Sequence, residues 1–122
     1  MDEKVFIEQL ANKFPEIKDD LLDEDYEGLL TLQIGVFKNA TQKAIDCGDF
    51  NLVDQYLNYI LDKFPEFDNR IENSVILSYI GKLDFKDYPI SKFIKQIQEN
   101  LEEYNQSMYK DEALINFLKS NK

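Results

Sequence analysis

The feature that most restricts the fold of this chain is the spacing of its apolar residues, which recur every three or four positions along most of its length. This spacing places apolar side chains on one face of an α-helix. The four glycines and three prolines fall mainly between the periodic segments, where they mark connections. We therefore predict an all-α fold of about six helices, packed into a single compact domain spanning residues 1–122.

The first half of the chain is predicted to contain a central helix. The first helix covers about residues 3–13, and Pro15 then starts a turn or a short helix that carries Leu21 and Leu22. Residues 29–45 form the next segment, and its first half is apolar on most sides. We expect this segment to be buried in the middle of the domain and to end at Gly48.

The second half continues the helical pattern. Asp49 or Asn51 is expected to cap one helix, and another covers residues 71–83, where the β-branched stretch SVILSYI keeps helical spacing. Pro89 suits the first turn of an amphipathic helix that runs to about residue 104. Asp111 is a candidate cap for a last helix, although no glycine or proline separates these two, so residues 90–119 form one helix or two.

The tetrapeptide KFPE occurs at residues 13–16 and again at residues 63–66. Each copy follows one predicted helix and precedes another, as in the stacked helical hairpins of armadillo or HEAT proteins. Arrays of this kind usually need about three repeats to be stable. Chance similarity between two helix ends is therefore the competing interpretation.

Composition argues against several classes of function. The chain has 24 acidic and 14 basic residues, and its net charge of -10 disfavours binding to nucleic acid or to an anionic membrane. It contains no histidine, and its one cysteine, Cys47, has acidic neighbours, so histidine and thiol catalysis are not expected. We predict that the protein is not an enzyme and holds no cofactor and no metal.

The sequence also indicates a cytoplasmic location. A single cysteine excludes an internal disulfide, which suits a reducing compartment. The first residues, MDEKVFIEQL, lack the apolar run of a signal peptide, and no stretch approaches the roughly 18 apolar residues of a membrane span.

The stretch DEDYEG, residues 23–28, has the pattern of the first half of a calcium-binding loop. Such a loop needs oxygen ligands at alternate positions, then a glycine, and finally a bidentate glutamate at its end. Asp23, Asp25, Glu27 and Gly28 fit the first part, but Ile34 occupies the place of the final glutamate. We therefore interpret the stretch as part of an acidic surface.

Residues 16–27, called here the acidic segment, contain seven acids and one base, whereas residues 67–122 contain nine acids and eight bases. The excess charge is therefore local, and a local patch speeds encounter with a basic partner. A solvated surface without a partner is the competing interpretation. The segment also contains Tyr26, and tyrosine is enriched at protein contacts, which favours an interface. The predicted partner-binding residues are Glu16, Asp19, Asp20, Asp23, Glu24, Asp25, Tyr26 and Glu27.

Metal-dependent catalysis by acids of the same segment is a third interpretation. Asp19, Asp20, Asp23 and Glu24 have a spacing on one helical turn that is compatible with metal binding. Catalytic metal sites in helical proteins usually gather carboxylates from several buried helices. Because these acids cluster in one exposed segment, binding is favoured over catalysis.

Residues 35–85 contain an aromatic-bearing helix, a Gly48–Asp49 corner, a second helix and a further motif. That motif consists of Asn73, Val75, Ser78, Tyr79, Ile80 and Leu83. In this pattern the stretch resembles a group of small all-helical bacterial proteins, many without an assigned function and others similar to immunity proteins encoded beside contact-dependent or polymorphic toxins. The matched positions are mostly core positions, so no functional residue is carried over.

The resemblance implies a small cytosolic inhibitor without catalysis, of the kind that is often acidic when its toxin is a basic nuclease. We therefore expect an immunity protein that covers the substrate groove of a toxin domain, with a ribonuclease as the first candidate. An adaptor or regulatory module with a cellular protein partner is the alternative, and it would use the same acidic surface.

Overall fold

A computed structural model describes residues 1–106 of the chain, with side chains as far as Leu101. The described residues contain no β-strand, and the predicted all-α fold class is confirmed. The chain separates into two compact units, Met1–Tyr88 and Pro89–Lys122. That residues 1–122 form a single domain stays a prediction. The described α-helices are α1 (Glu3–Lys13), α2 (Lys18–Leu21), α3 (Leu30–Asp46), α4 (Phe50–Lys63), α5 (Asn69–Ser74) and α6 (Lys92–Gln106).

Helix α3 is the centre of the first unit, as predicted. It contacts α2, α4, α5 and the helical segment that follows α5. Phe37, fully buried, stacks on the ring of Tyr79 at a centroid distance of 4.7 Å and meets the edge of the Tyr56 ring at 5.2 Å. The prediction was wrong for the start of the segment, because Leu29 and Leu32 are each 49% exposed. Only one face of the first turn of α3 is covered by neighbouring helices.

Two hydroxyl groups lie inside this aromatic core. Thr41 donates a hydrogen bond to the Phe37 carbonyl at 3.0 Å, and its oxygen lies 2.9 Å from the Tyr79 hydroxyl. Because the Thr41 proton is used by the carbonyl, Tyr79 is the donor of the second bond. Tyr79 belongs to a π-helical segment, Val75–Tyr79, so the stretch SVILSYI is helical as predicted. The bond joins α3 to this segment without leaving a buried hydroxyl unpaired.

The predicted helix ends agree with the structure in the first unit. Asp49 caps α4 by accepting a hydrogen bond from the Leu52 amide at 3.3 Å, and Gly48 has a positive φ of 74°. Both KFPE copies form a 3-10 turn between two α-helices, Pro15–Ile17 in the first and Phe64–Glu66 in the second. This local similarity does not establish a repeat, and the stacked-hairpin arrangement stays a prediction.

The second unit begins differently from the prediction. Helix α6 begins at Lys92, so Pro89 lies before the helix rather than in its first turn. The Ser91 hydroxyl accepts a hydrogen bond from the Ile94 amide at 3.3 Å and supplies the cap that the sequence analysis did not identify. Ile94, Ile97 and Leu101 on the predicted apolar stripe are buried. The candidate last helix and its cap, Asp111, lie outside the described residues.

Removing the ring at the centre of the core should destabilise the protein. We expect Phe37→Ala to lower the free energy of unfolding by about 3–5 kcal/mol, because the substitution leaves a cavity between the rings of Phe14, Tyr56 and Tyr79. The matched control is Leu32→Ala on the exposed side of α3, which should change it by no more than about 0.5 kcal/mol. Urea unfolding followed by circular dichroism measures both. Equal effects of the two substitutions would contradict the placement of α3.

Alkaline pH should destabilise the fold through two buried phenols, Tyr56 and Tyr79, and the half-buried Tyr88. Burial raises the pKa of Tyr56 and Tyr79 above the ordinary value of 10.0, and burial with the Asp54 carboxylate raises the pKa of Tyr88 to about 12. The unfolded chain therefore ionises these groups at lower pH than the folded chain. Their contribution to stability is complete below pH 10 and is lost as the pH rises toward 12 and beyond.

Urea unfolding at neutral pH and at a series of alkaline pH values measures this loss, with phenolate absorbance recorded on the same samples. Tyr79→Phe should reduce the slope, because one buried ionisable group is gone. A free energy of unfolding that stays constant while phenolate absorbance rises would show that these phenols are exposed.

Candidate protein-binding surface

Two buried side chains hold the acidic segment on the first unit. Ile17 and Leu21 are 7% and 0% exposed, and their spacing of four residues places both on the inner side of α2 and the turn before it. The Gln33 amide of α3 donates a hydrogen bond to the Leu21 carbonyl at 3.3 Å. The segment is therefore fixed by its apolar positions, while its acids lie on the outer side.

The second part of the segment is a capped turn. Asp23 accepts a hydrogen bond from the Asp25 amide at 2.9 Å and begins a 3-10 turn, Glu24–Tyr26. Gly28 then has a positive φ of 75°, which reverses the chain into α3. Because α3 already begins at Leu30, the residues after DEDYEG form helix rather than a calcium loop. Over the described part of the chain, no group of three or more acidic or cysteine side chains is arranged to hold a metal ion.

All seven acids of the segment are exposed. Within the described residues none of them forms an ion pair, and the ion pairs present lie elsewhere, at Lys63–Glu66, Arg70–Glu3 and Lys86–Asp46. Glu16 accepts a hydrogen bond from the Tyr56 hydroxyl at 3.0 Å, which ties the start of the segment to α4. The net charge of the segment is therefore presented to solvent without internal compensation.

The acidic segment separates two clefts. The first, with a volume of about 680 Å³, lies between the segment, α3 and the start of α4. Its acidic wall contains Glu16, Asp20 and Asp23, its floor is largely apolar, and Lys43 is its one basic residue. Asp49 adds a further acid, Tyr26 and Tyr56 add aromatic surface, and the exposed Cys47 also lines it.

The second cleft has a volume of about 460 Å³ and lies between the segment, α1 and the start of α3. Asp23 lines both clefts, and Glu24 and Glu27 line the second. Asp19 and Asp25 line neither cleft. The structure therefore brings six of the eight predicted residues to the two clefts and leaves two on the open surface.

Exposed leucines flank the acids. Leu22 is 45% exposed within the segment, directly after the buried Leu21. Leu29 and Leu32 follow the segment directly and are also exposed. An apolar surface rimmed by charged groups is typical of protein-interaction sites, because apolar contact supplies affinity while the charges orient the partner.

The parts of the surface that other helices contribute were not predicted from the sequence. Lys43 of α3 and Asp49 at the start of α4 reach the first cleft, and only the packing of these helices brings them there. Gln33 of α3 lines the second cleft and is 7% exposed. A signal for Gln33 was present in the sequence, because a polar residue three positions after Leu30 and four before Phe37 lies on the buried face of α3.

Comparison with known families places most of the chain in one of them. The model of a family described as a domain of unknown function, DUF7674, matches residues 7–118. No curated protein and no solved structure matches the chain. Among the described helices, none is both long enough and apolar enough to cross a membrane.

The turn that ends the acidic segment should depend on Gly28. We expect Gly28→Ala to lower the free energy of unfolding by about 1–2 kcal/mol, because an L-residue is strained at a positive φ even where its Cβ meets no other atom. Gly35→Ala is the matched control, since it also has open space but lies within α3, and it should raise stability by about 0.5–1 kcal/mol. Urea unfolding measures both values, and a stabilising Gly28→Ala would contradict the positive φ.

Proposed function

We propose that this chain, which belongs to the DUF7674 family, is a binding protein that captures a basic protein partner on its acidic surface. The proposed partner is a bacterial toxin domain, in the first instance a ribonuclease, and the proposed role is that of an immunity protein in the cytoplasm. The observation that carries this proposal is the exposed acidic segment, whose seven acids make no ion pair within the described residues.

An uncompensated patch of this kind favours a partner with the opposite charge. Repulsion among its acids opposes the folded state, and a basic surface docked on the patch would relieve that repulsion. A nuclease carries such a surface, because lysines and arginines hold the phosphates of its substrate. A protein bound there covers the substrate groove without any catalysis of its own. The choice of a toxin as partner follows the resemblance of residues 35–85 to small helical bacterial proteins, some of which are similar to immunity proteins.

The apolar features beside the acids support protein binding over simple solvation. A purely solvated charge run has no need for exposed large apolar side chains, yet Leu22, Leu29 and Leu32 lie within or directly after the acidic segment. In protein interfaces, such side chains form the desolvated centre while charged groups surround it. The two clefts beside the segment add concave surface that side chains of a partner would fill.

An adaptor or regulatory module remains the second candidate. The same acids and leucines would serve a cellular partner that is basic but not toxic. Deletion of the gene distinguishes the two functions. For an adaptor, we expect a phenotype even in cells that encode no toxin.

Charge reversal tests the surface directly. We expect the triple variant Asp20→Lys, Asp23→Lys and Glu24→Lys to associate with the partner about tenfold or more slowly at low salt. The association rate constant of this variant should also depend less on salt concentration. Asp62→Lys, Asp87→Lys and Glu99→Lys form the matched control, since these exposed acids line neither cleft. Stopped-flow or surface-plasmon measurements give both rate constants. An equal effect of the two triple variants would show that total charge, not this surface, governs binding.

A double variant at Asp19 and Asp25 distinguishes long-range electrostatic attraction of the partner from direct contact with it. Because they lie on the open surface beside the clefts, Asp19→Lys with Asp25→Lys should slow association while leaving dissociation nearly unchanged. The cleft-lining variant should change both rate constants. If the Asp19 and Asp25 variant changed dissociation more strongly, the interface would lie on the open face of the segment rather than at the clefts.

Co-expression tests the toxin partner. The C-terminal domain of the protein encoded immediately upstream would be expressed in bacteria with and without this chain, and growth would be followed. Growth arrest that this chain relieves, with a complex that co-purifies, is the expected result. Toxicity that it does not relieve, or no toxicity, would favour the adaptor function and direct the search to partners in the native host.

A further inference from the structure

We infer that the first cleft is the docking site for an amphipathic α-helix of the partner, one that has apolar side chains on one face and lysines or arginines beside them. The inference rests on the proposed function in one respect, that the partner is a basic protein. It adds which element of the partner binds and where. Three features of the cleft carry it: an apolar floor, helical walls and the charge of those walls.

The floor of the first cleft is a face of α3 that stays partly open to solvent. Val36, Ala40 and Ala44 lie four residues apart, so they follow one line along the helix, and the first two are half-buried. From Val36 to Cys47 the floor extends over about 16 Å, or about three turns of helix. A cleft of this length, with a volume of about 680 Å³, takes the side chains along one face of a partner helix.

The helical walls favour a helix over an extended segment as the occupant. The described residues contain no β-strand, so the cleft offers no strand edge to pair with an extended backbone. An extended segment would therefore bury peptide groups without hydrogen-bond partners against the apolar floor. A helix satisfies its own backbone. The small side chains of Ala40 and Ala44 let it approach α3 closely, because the distance between packed helices depends on the side chains at the contact.

The charge of the walls specifies the rest of the occupant. Glu16, Asp20 and Asp23 of the acidic segment line the cleft, Asp49 lines it at the start of α4, and Lys43 is the one basic residue among the described lining residues. None of the four acids forms an ion pair within the described part of the chain. A helix seated on the floor would have carboxylates on both sides, and lysines or arginines there would complement them. Apolar contact in the middle with charge at the edges is typical of helix-in-groove complexes.

Peptide binding to the isolated full chain tests this site without the partner. The probe is a capped peptide of about 14 residues of leucine, alanine and lysine, with leucines at helical spacing on one face and lysines on both flanks. A scrambled peptide of the same composition keeps the charge but has no apolar face. Cys47 is the single cysteine of the chain and lines the cleft exposed to solvent, so its rate of alkylation by N-ethylmaleimide reports whether the cleft is occupied. We expect the amphipathic peptide to slow alkylation saturably and the scrambled peptide to bind about tenfold more weakly.

A variant that fills the cleft locates the peptide. Ala40→Met adds a long apolar side chain to the floor and should weaken the amphipathic peptide by about tenfold, because it occupies the space that the peptide needs. Asn58→Met is the matched control, since it adds the same side chain at an exposed position of α4 outside both clefts. Thermal unfolding of each variant is measured first, so that a loss of folding is not mistaken for a loss of binding.

A second variant tests the charged wall without adding bulk. Glu16→Gln with Asp20→Asn keeps the shape of two exposed side chains and should weaken the peptide by about fivefold at low salt. Asp62→Asn with Asp87→Asn removes the same charge from exposed positions that line neither cleft, and it should leave the affinity unchanged.

Four results would overturn this docking site: no saturable binding of the amphipathic peptide, equal affinity for the scrambled peptide, binding that does not protect Cys47, or equal affinities of Ala40→Met and Asn58→Met. Each is distinguishable from failure of the proposed function. If one of them is found while the charge-reversed triple variant of the acidic segment still associates slowly with the partner, the acidic surface stands and the helix site is wrong. If the peptide binds and protects Cys47 but no basic protein binds the chain, the docking site stands and the proposed function fails.

Discussion

The burial of α3 is the constraint on which the rest of the structure depends. Phe37 lies between the rings of Tyr79 and Tyr56, so one side chain joins α3 to the helical segment after α5 and to α4. The Thr41–Tyr79 hydrogen bond fixes the register of the same contact, because a hydroxyl displaced along the helix would be buried without a partner. Aromatic packing therefore joins these helices at the centre of the core, and one polar pair specifies how they meet.

The acidic segment is a consequence of this core. Ile17 and Leu21 are buried, and Gln33 of α3 binds the Leu21 carbonyl, so the segment is held from beneath. Among its acids, Glu16 adds one hydrogen bond to this attachment, from the Tyr56 hydroxyl. The packing of the segment does not depend on the charge of the other acids. The repulsion among them is tolerated because every one of them is exposed to water, where the dielectric constant weakens the interaction.

Charge and shape have different roles on this surface. The acids that line no cleft, Asp19 and Asp25, contribute to the field that a distant partner experiences. The acids at the clefts are placed beside apolar and amide groups, where contact removes water and each hydrogen bond becomes stronger. A single segment thus offers both long-range attraction and short-range selectivity. This combination supports the proposal that the chain binds a basic partner.

The sequence by itself determined the helices, most of their ends and the location of the excess charge. The relevant signals are local: the apolar spacing, Gly48, Asp49 and the two KFPE corners. Helix formation and capping use hydrogen bonds between residues close in the chain, so these signals are sufficient to predict them. The prediction for Pro89 was wrong, because Ser91 caps the helix instead. The burial expected for Leu29 and Leu32 was also wrong, because hydrophobicity alone does not show which faces neighbouring helices cover. Only the tertiary structure decided that α1, α3 and α4 form clefts on either side of the acids and that Gln33 reaches one of them. Those features depend on contacts between residues far apart in the chain, and single-sequence periodicity carries no information about such contacts.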